Sequence, residues 1–118
     1  MLVVEDEASV RQLCARILEE EGYRVLTARD GLEALAMLEA AGPDIQLVIS
    51  DLKMPRLDGL QLSATLAARQ TAPPMILISG YHIDQPTDRP IIPKPFHAAD
   101  LLTAVQRMLL ASPRAVAH

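Results

Sequence analysis

The stretch Leu47-Val48-Ile49-Ser50-Asp51-Leu52-Lys53-Met54-Pro55 decides how this chain folds. It opens inside a nearly continuous apolar run, Ile45–Ser50, of the kind found in a parallel strand covered on both faces. It then sets a carboxylate, Asp51, at the end of that strand, just before a turn at Met54-Pro55. A carboxylate in that place points into a crevice and not into the core. Asp51 is therefore a candidate covalent nucleophile, with an ordinary capping aspartate as the plainer alternative.

Outward from this stretch, short apolar runs alternate with helical periods. Leu2–Val4 reads as a first strand. Val10, Leu13, Cys14, Ile17 and Leu18 recur at helical spacing and predict a helix over about residues 8–21, stopped by Gly22. Tyr23–Ala28 alternates Tyr, Val and Thr with Arg, Leu and Ala, as a less buried strand does. Asp30-Gly31-Leu32-Glu33 has the spacing of a capping box, Asp30 capping and Glu33 reaching back. The helix behind it should run to about Ala41 and end at Gly42-Pro43. Asp58-Gly59-Leu60-Gln61 repeats the spacing and opens a third helix that should end before Pro73-Pro74. Met75–Ser79 is another buried strand, and Ile91-Ile92 a very short one between Pro90 and Pro93. Leu101, Val105, Met108 and Leu109 mark a final helix. Residues 112–118 read as a flexible tail behind one domain of residues 1–111.

Strands alternating with helices predict an α/β sandwich around a parallel sheet. Its crossovers are right-handed, and ligands bind outside the carboxyl ends of the strands. At 118 residues, half of them hydrophobic, the chain suits one domain with a sizeable core. Tyr23, Tyr81 and Phe96 are its only aromatic residues, so that core is aliphatic. A net charge of -4 without a basic run gives no electrostatic footprint for nucleic acid. Cys14 is the single cysteine, which excludes an internal disulfide framework and a cysteine zinc site; on an apolar helix face it reads as a packing thiol. No apolar stretch is long enough to span a membrane. The acids right after Met-Leu-Val-Val argue against a signal peptide, so a soluble, cytoplasmic protein is expected.

The predicted strand ends collect polar residues. Glu5 and Asp6 follow the first strand, Asp51 the third, Ser79 closes the fourth, and Lys94 follows the fifth within Pro93-Lys94-Pro95-Phe96. Each by itself has a plain reading: Asp6 or Glu7 could cap the first helix, and Met54-Pro55 could be an ordinary turn. Together they form a set with a chemical consequence. Carboxylates about 4 Å apart at an effective dielectric near 20 repel by roughly 4 kcal/mol per pair. A fold tolerates that when a cation compensates. Two carboxylates and a backbone carbonyl, completed by water and phosphate oxygens, suit Mg²⁺. Lys94 adds a protein-borne positive charge and Ser79 a hydroxyl donor.

With these pieces in view, the sequence resembles the receiver domain of two-component response regulators. The matching pieces are Val3-Val4-Glu5-Asp6-Glu7, Ser50-Asp51-Leu52-Lys53-Met54-Pro55 with Asp58-Gly59, Ile76-Leu77-Ile78-Ser79-Gly80, and Lys94-Pro95-Phe96. They stand in the family's order across about residues 2–111. The resemblance implies a flavodoxin-like sandwich with five parallel strands in the order 2-1-3-4-5. It implies that Asp51 takes a phosphoryl group from a phosphohistidine on a histidine kinase or phosphotransfer protein. It implies Mg²⁺ (or Mn²⁺), with Asp6 and Asp51 as ligands, Glu5 acting through a metal-bound water, and the backbone carbonyl of Lys53 as a further ligand. Lys94 would pair with the phosphoryl oxygens and Ser79 would hydrogen-bond them. Gly80 would leave room for the group, and Lys94-Pro95 would be cis. Lys53 and Tyr81, two positions beyond Asp51 and Ser79, would flank the path of an attacking water and tune the phosphate's lifetime. The Ile-Ser-Gly-Tyr and Lys-Pro-Phe pieces look like those of receivers in hybrid histidine kinases, with a stand-alone receiver as the alternative.

Two departures from the family matter. Fifteen positions separate Ser79 from Lys94, which leaves the family's fourth helix short by roughly two turns. Pro86, Pro90 and Pro93 oppose a helix there as well. That helix is expected to be shortened or absent, which puts the family's usual dimer and output face in doubt. Ile91 also stands where relatives commonly place the switch Tyr or Phe. The competing readings are a receiver-like interaction module that is not phosphorylated and a hydrolase with an aspartyl nucleophile. The hydrolase would want a general acid two residues beyond that nucleophile, where this chain has Lys53.

Overall fold

Alternation along each strand divides its side chains between two faces, and the packing follows that division. In the computed structural model, which describes residues 1–41, 44–52, 57–69, 73–80 and 89–111, nine elements run in the order β1 (Leu2–Val4), α1 (Ala8–Glu20), β2 (Leu26–Ala28), α2 (Gly31–Ala41), β3 (Val48–Asp51), α3 (Gly59–Ala67), β4 (Met75–Ser79), β5 (Ile91–Pro93) and α4 (Ala98–Ala111). The strands form one sheet in the order β2-β1-β3-β4-β5, every pair parallel. Leu2, Val4, Val48, Met75 and Leu77 point to one face and pack on Ala34 and Leu38 of α2 and on Leu62 and Leu66 of α3. Val3, Ile49, Ile76, Ile78 and Ile92 point to the other and pack on Cys14 and Leu18 of α1 and on Leu101 and Val105 of α4. This is the flavodoxin-like arrangement expected of a doubly wound parallel sheet.

Helix ends follow local chemistry. Asp58 Oδ1 accepts from Gln61 N at 2.9 Å and Gln61 Oε1 accepts from Asp58 N at 2.9 Å, a complete capping box. At α2, Asp30 Oδ1 accepts from Glu33 N at 2.9 Å, the Asp30 half of the expected box, and the Glu33 carboxylate takes Arg29 Nε at 3.3 Å. Helix α1 ends in a left-handed Gly22 (φ 92°), with Gly22 N donating to Glu19 O and Tyr23 N to Leu18 O. That pair of bonds is the Schellman pattern, and it requires a residue without a Cβ penalty at positive φ.

Two strands are shorter than their apolar runs. Residues 23–25 stay outside β2 because the ladder's first register pair is Leu2 with Leu26. Tyr23 and Val25 instead pad the α1 face of the core. Ile45 and Leu47 are buried ahead of β3 without joining it. Leu13, placed on the apolar side of α1 by its spacing, is 49% exposed. Among the described residues no helix lies between β4 and β5, and α4 is the helix that follows the last strand. The expectation for residues 81–88, including Pro86, lies outside the described residues, as do Gly42-Pro43 and the tail at 112–118.

Candidate functional site

The sheet register assembles the site. Val4 pairs with Ser50, so the next residues along, Glu5 and Asp51, come side by side where β1 and β3 end. Ser79 pairs with Pro93, so Lys94 follows directly beside it, and Lys94 N donates to Ser79 O at 2.8 Å. The peptide between Lys94 and Pro95 is cis, as the family resemblance implied. Glu5, Asp51 and Ser79 are all buried, while Asp6 is exposed at the rim.

A carboxylate oxygen from each of Glu5, Asp6 and Asp51 lies within 4.8 Å of the others. Lys94 Nζ sits among them, 2.8 Å from Glu5 Oε1 and 3.3 Å from Asp51 Oδ2. Burial pushes the Lys94 ammonium toward the neutral form. The hydrogen bond to Glu5 and the charges of Asp51 and Glu5 outweigh that, and the pKa is raised overall. The Asp6 carboxyl is also raised, first by loss of solvent and then by its contact with the Glu5 carboxylate. Three acids against this one ion-paired ammonium leave an uncompensated negative charge. The donors are hard oxygens at close spacing, so the cluster fits a small divalent cation of the Mg²⁺ type. Asp6, Asp51 and Glu5 are the described side chains that would hold it; Lys53, whose carbonyl the resemblance adds, lies outside the described residues.

Local packing fixes Asp51 from behind. Ser50 Oγ donates to Asp51 O at 2.9 Å, and Gly59 N donates to Leu52 O at 2.9 Å. The start of α3 presses so closely on this strand end that a Cβ on Gly59 would run into Asp51 O and come within 2.9 Å of Leu52 Cα. Only glycine fits that approach. Gly80, by contrast, is exposed, and a Cβ there would touch Lys94 Cβ at 3.5 Å, an ordinary contact. Tyr81 lies outside the described residues. Ile91, at the position of the family's switch aromatic, opens β5 and is 41% exposed. Cys14 is fully buried, and desolvation first, then the Glu5 charge, pushes its thiol up to about 11. It is a packing thiol.

Two features of the site escaped the sequence reading. One is the Glu5–Lys94 pair, shorter than the Lys94–Asp51 contact. The other is Arg11, whose Nη1 donates to the Glu5 carbonyl at 2.8 Å. A cation one helical turn past an acidic strand end was the available signal for the second.

The model of the response regulator receiver domain matches residues 1–106, and the chain belongs to that family of two-component signalling domains. It is 40% identical to the sensor kinase CckA of Brucella abortus (strain 2308), over 92% of this chain and 12% of that protein. Across the first curated relatives it matches, the chain spans 12% to 54% of their length. Among solved structures, the signal receiver domain of a signal transduction histidine kinase from Syntrophus aciditrophicus superimposes with a TM-score of 0.85 at 30% identity, covering 96% of this chain and 91% of that one. The CheX-CheY-BeF3-Mg+2 complex from Borrelia burgdorferi gives a TM-score of 0.82 at 26% identity, covering 90% and 85%. Among the described residues no helix is long and apolar enough to cross a membrane.

Proposed function

We propose that this domain accepts a phosphoryl group on Asp51 from a phosphohistidine of a histidine kinase or phosphotransfer protein. The observation that carries the reading is Lys94 Nζ held between Glu5 and Asp51 beside a third acid, Asp6. An Asp51 carboxylate oxygen attacks phosphorus, the P–N bond to the donor imidazole breaks, and the ring leaves with a proton. Transfer of this kind needs positioning and charge neutralisation more than covalent help from other side chains. Bound Mg²⁺ supplies neutralisation of the phosphoryl oxygens. Within the chain, Asp51 is held rigid by Ser50 and the α3 start, and Lys94 takes the new negative charge. Buried Ser79 stands next along the same edge to donate its hydroxyl. Water attack on the acyl phosphate later returns the carboxylate and inorganic phosphate, with Lys53 and Tyr81 as the residues that tune this step. The beryllofluoride and magnesium named for the Borrelia complex support the same chemistry here.

The test is incubation with Mg²⁺ and acetyl phosphate, read by intact mass. A single phosphate adduct is expected, lost in Asp51→Asn and after chelation. Retention of the adduct in Asp51→Asn would move the acceptor elsewhere. Absence of any Mg²⁺-dependent adduct would favour a receiver-like interaction module, the reading that the exposed Ile91 at the switch position supports. With that aromatic replaced, phosphorylation is read through a route other than an aromatic swing, and the domain's readout face differs from the family's usual one.

A further inference from the structure

Arg11 is a half-buried cation in the first turn of α1, close behind the acidic strand end, and among the described residues its guanidinium bonds to none of the three carboxylates. Its side-chain hydrogen bond goes to a backbone oxygen, Glu5 O, at 2.8 Å. Guanidinium groups ordinarily favour carboxylates, where a bidentate fit is available. The choice of a carbonyl therefore has a geometric meaning.

Glu5 N closes the last ladder bond, to Ala28 O at 3.0 Å, and the chain then leaves the sheet. The Glu5 carbonyl belongs to the planar peptide that also contains the Asp6 N–H and leads to the Asp6 Cα. Fixing that oxygen fixes the plane, and the plane sets where the exposed Asp6 carboxylate can reach. The Glu5 carboxylate is held separately, by Lys94 Nζ at 2.8 Å and by Glu7 N at 3.4 Å. Arg11 itself is anchored in α1, its N–H donating to Glu7 O at 3.0 Å.

We infer that Arg11 is a positioning residue for the metal site: it sets the Glu5–Asp6 peptide so that Asp6 faces Asp51. The inference rests on the proposed Mg²⁺ role of this cluster. Charge and position predict opposite signs, which makes the test sharp. Removing a positive charge next to an acidic cluster tightens cation binding by Coulomb attraction. Removing a group that orients a ligand weakens it, typically by about 10–100-fold.

The experiment is calorimetric titration of the metal-free chain with Mg²⁺ at constant ionic strength, together with its metal-free melting temperature. Arg11→Met, which keeps the apolar stem, is expected to bind at least about tenfold more weakly than wild type. Arg11→Lys, which keeps a donor and the charge, is expected to fall between them. Equal or tighter binding by Arg11→Met overturns the inference, and so does a lower melting temperature with an unchanged Kd. Failure of the wild-type chain to bind Mg²⁺ overturns the metal reading and this inference with it; normal wild-type binding with undiminished Arg11→Met binding overturns the inference only.

Discussion

Two turns lead into helices at one edge of the sheet and use their acids in opposite ways. At the start of α3, Asp58 gives its carboxylate to Gln61 N and receives Gln61 Oε1 on its own N–H. At the start of α1, Glu7 occupies the corresponding position and makes no side-chain cap bond. Its neighbours Glu5 and Asp6 turn instead toward Asp51 and Lys94. A cap satisfies backbone donors and holds its carboxylate in that task. At the uncapped α1 start the acids gather around Lys94, and the backbone takes from them one long bond, Glu7 N to Glu5 Oε2 at 3.4 Å. The contrast separates an aspartate occupied by its own helix from acids gathered around a lysine at a strand end. It also disposes of the plain reading in which Glu7 caps the first helix.

The largest effect expected from breaking this contrast is at Gly59. Its missing Cβ lets the capped turn seat itself against the backbone of Asp51 and Leu52, where β3 ends. In Gly59→Ala the new atom meets only main-chain atoms of Asp51 and Leu52, so no flexible side chain can yield. Overpacking of this kind costs about 1–3 kcal/mol. Urea unfolding should show a lower midpoint at an unchanged m-value, and phosphorylation of Asp51 should slow because its carbonyl is displaced. Unchanged stability would mean that α3 is not pressed on the site.

How much of this was legible in sequence follows from the range of each signal. The two capping acids, Asp30 and Asp58, were readable because a capping bond closes within three residues. β4 was readable because its apolar run, Met75–Ile78 closed by Ser79, lies wholly inside the sheet. β2 was overextended: alternation at Tyr23 and Val25 records partial burial against α1, while pairing depends on where β1 begins, and no local pattern contains that. The same holds in the site. Asp51, Asp6, Glu5, Ser79 and Lys94 could be assembled from strand ends, since a parallel sheet puts those ends together. That Lys94 lies nearer Glu5 than Asp51, across a sequence separation of 89, is a matter of side-chain packing and could not be read.

The contrast extends into the core through Cys14. The thiol lies on α1, beneath the acidic turn, and burial first, then the Glu5 charge, lifts it from its ordinary value near 9 to about 11. Between those values the unfolded chain has lost the proton and the folded chain keeps it. Stability therefore falls as pH rises across that window, by up to roughly 1.4 kcal/mol per pH unit for this group. Melting curves from pH 8 to 11 should show a steeper decline for wild type than for Cys14→Ala, although the variant is less stable throughout. Parallel slopes would mean that the native thiol is not shifted. Iodoacetamide should leave the thiol of the native protein unmodified at neutral pH.

The smallest effect is the one that decides whether the two turns differ at all. Asp58→Ala removes a carboxylate that accepts from Gln61 N and leaves that amide to water. Cap losses of this type cost about 1 kcal/mol. For a domain of this size that lowers the melting temperature by roughly 4–5 °C. Glu7→Ala removes a side chain whose described contact is an exposed bond from Ser9 Oγ at 3.3 Å. It should change stability by less than about 0.5 kcal/mol, as surface substitutions do. Removing a charge next to Glu5 and Asp6 works in the stabilising direction as well, so a small gain in the metal-free protein is the expected sign. The measurement is thermal unfolding of both variants in chelator. A loss in Glu7→Ala equal to that in Asp58→Ala would make Glu7 a cap after all. The acids after β1 would then be structural first, and their closeness to Asp51 would need another cause.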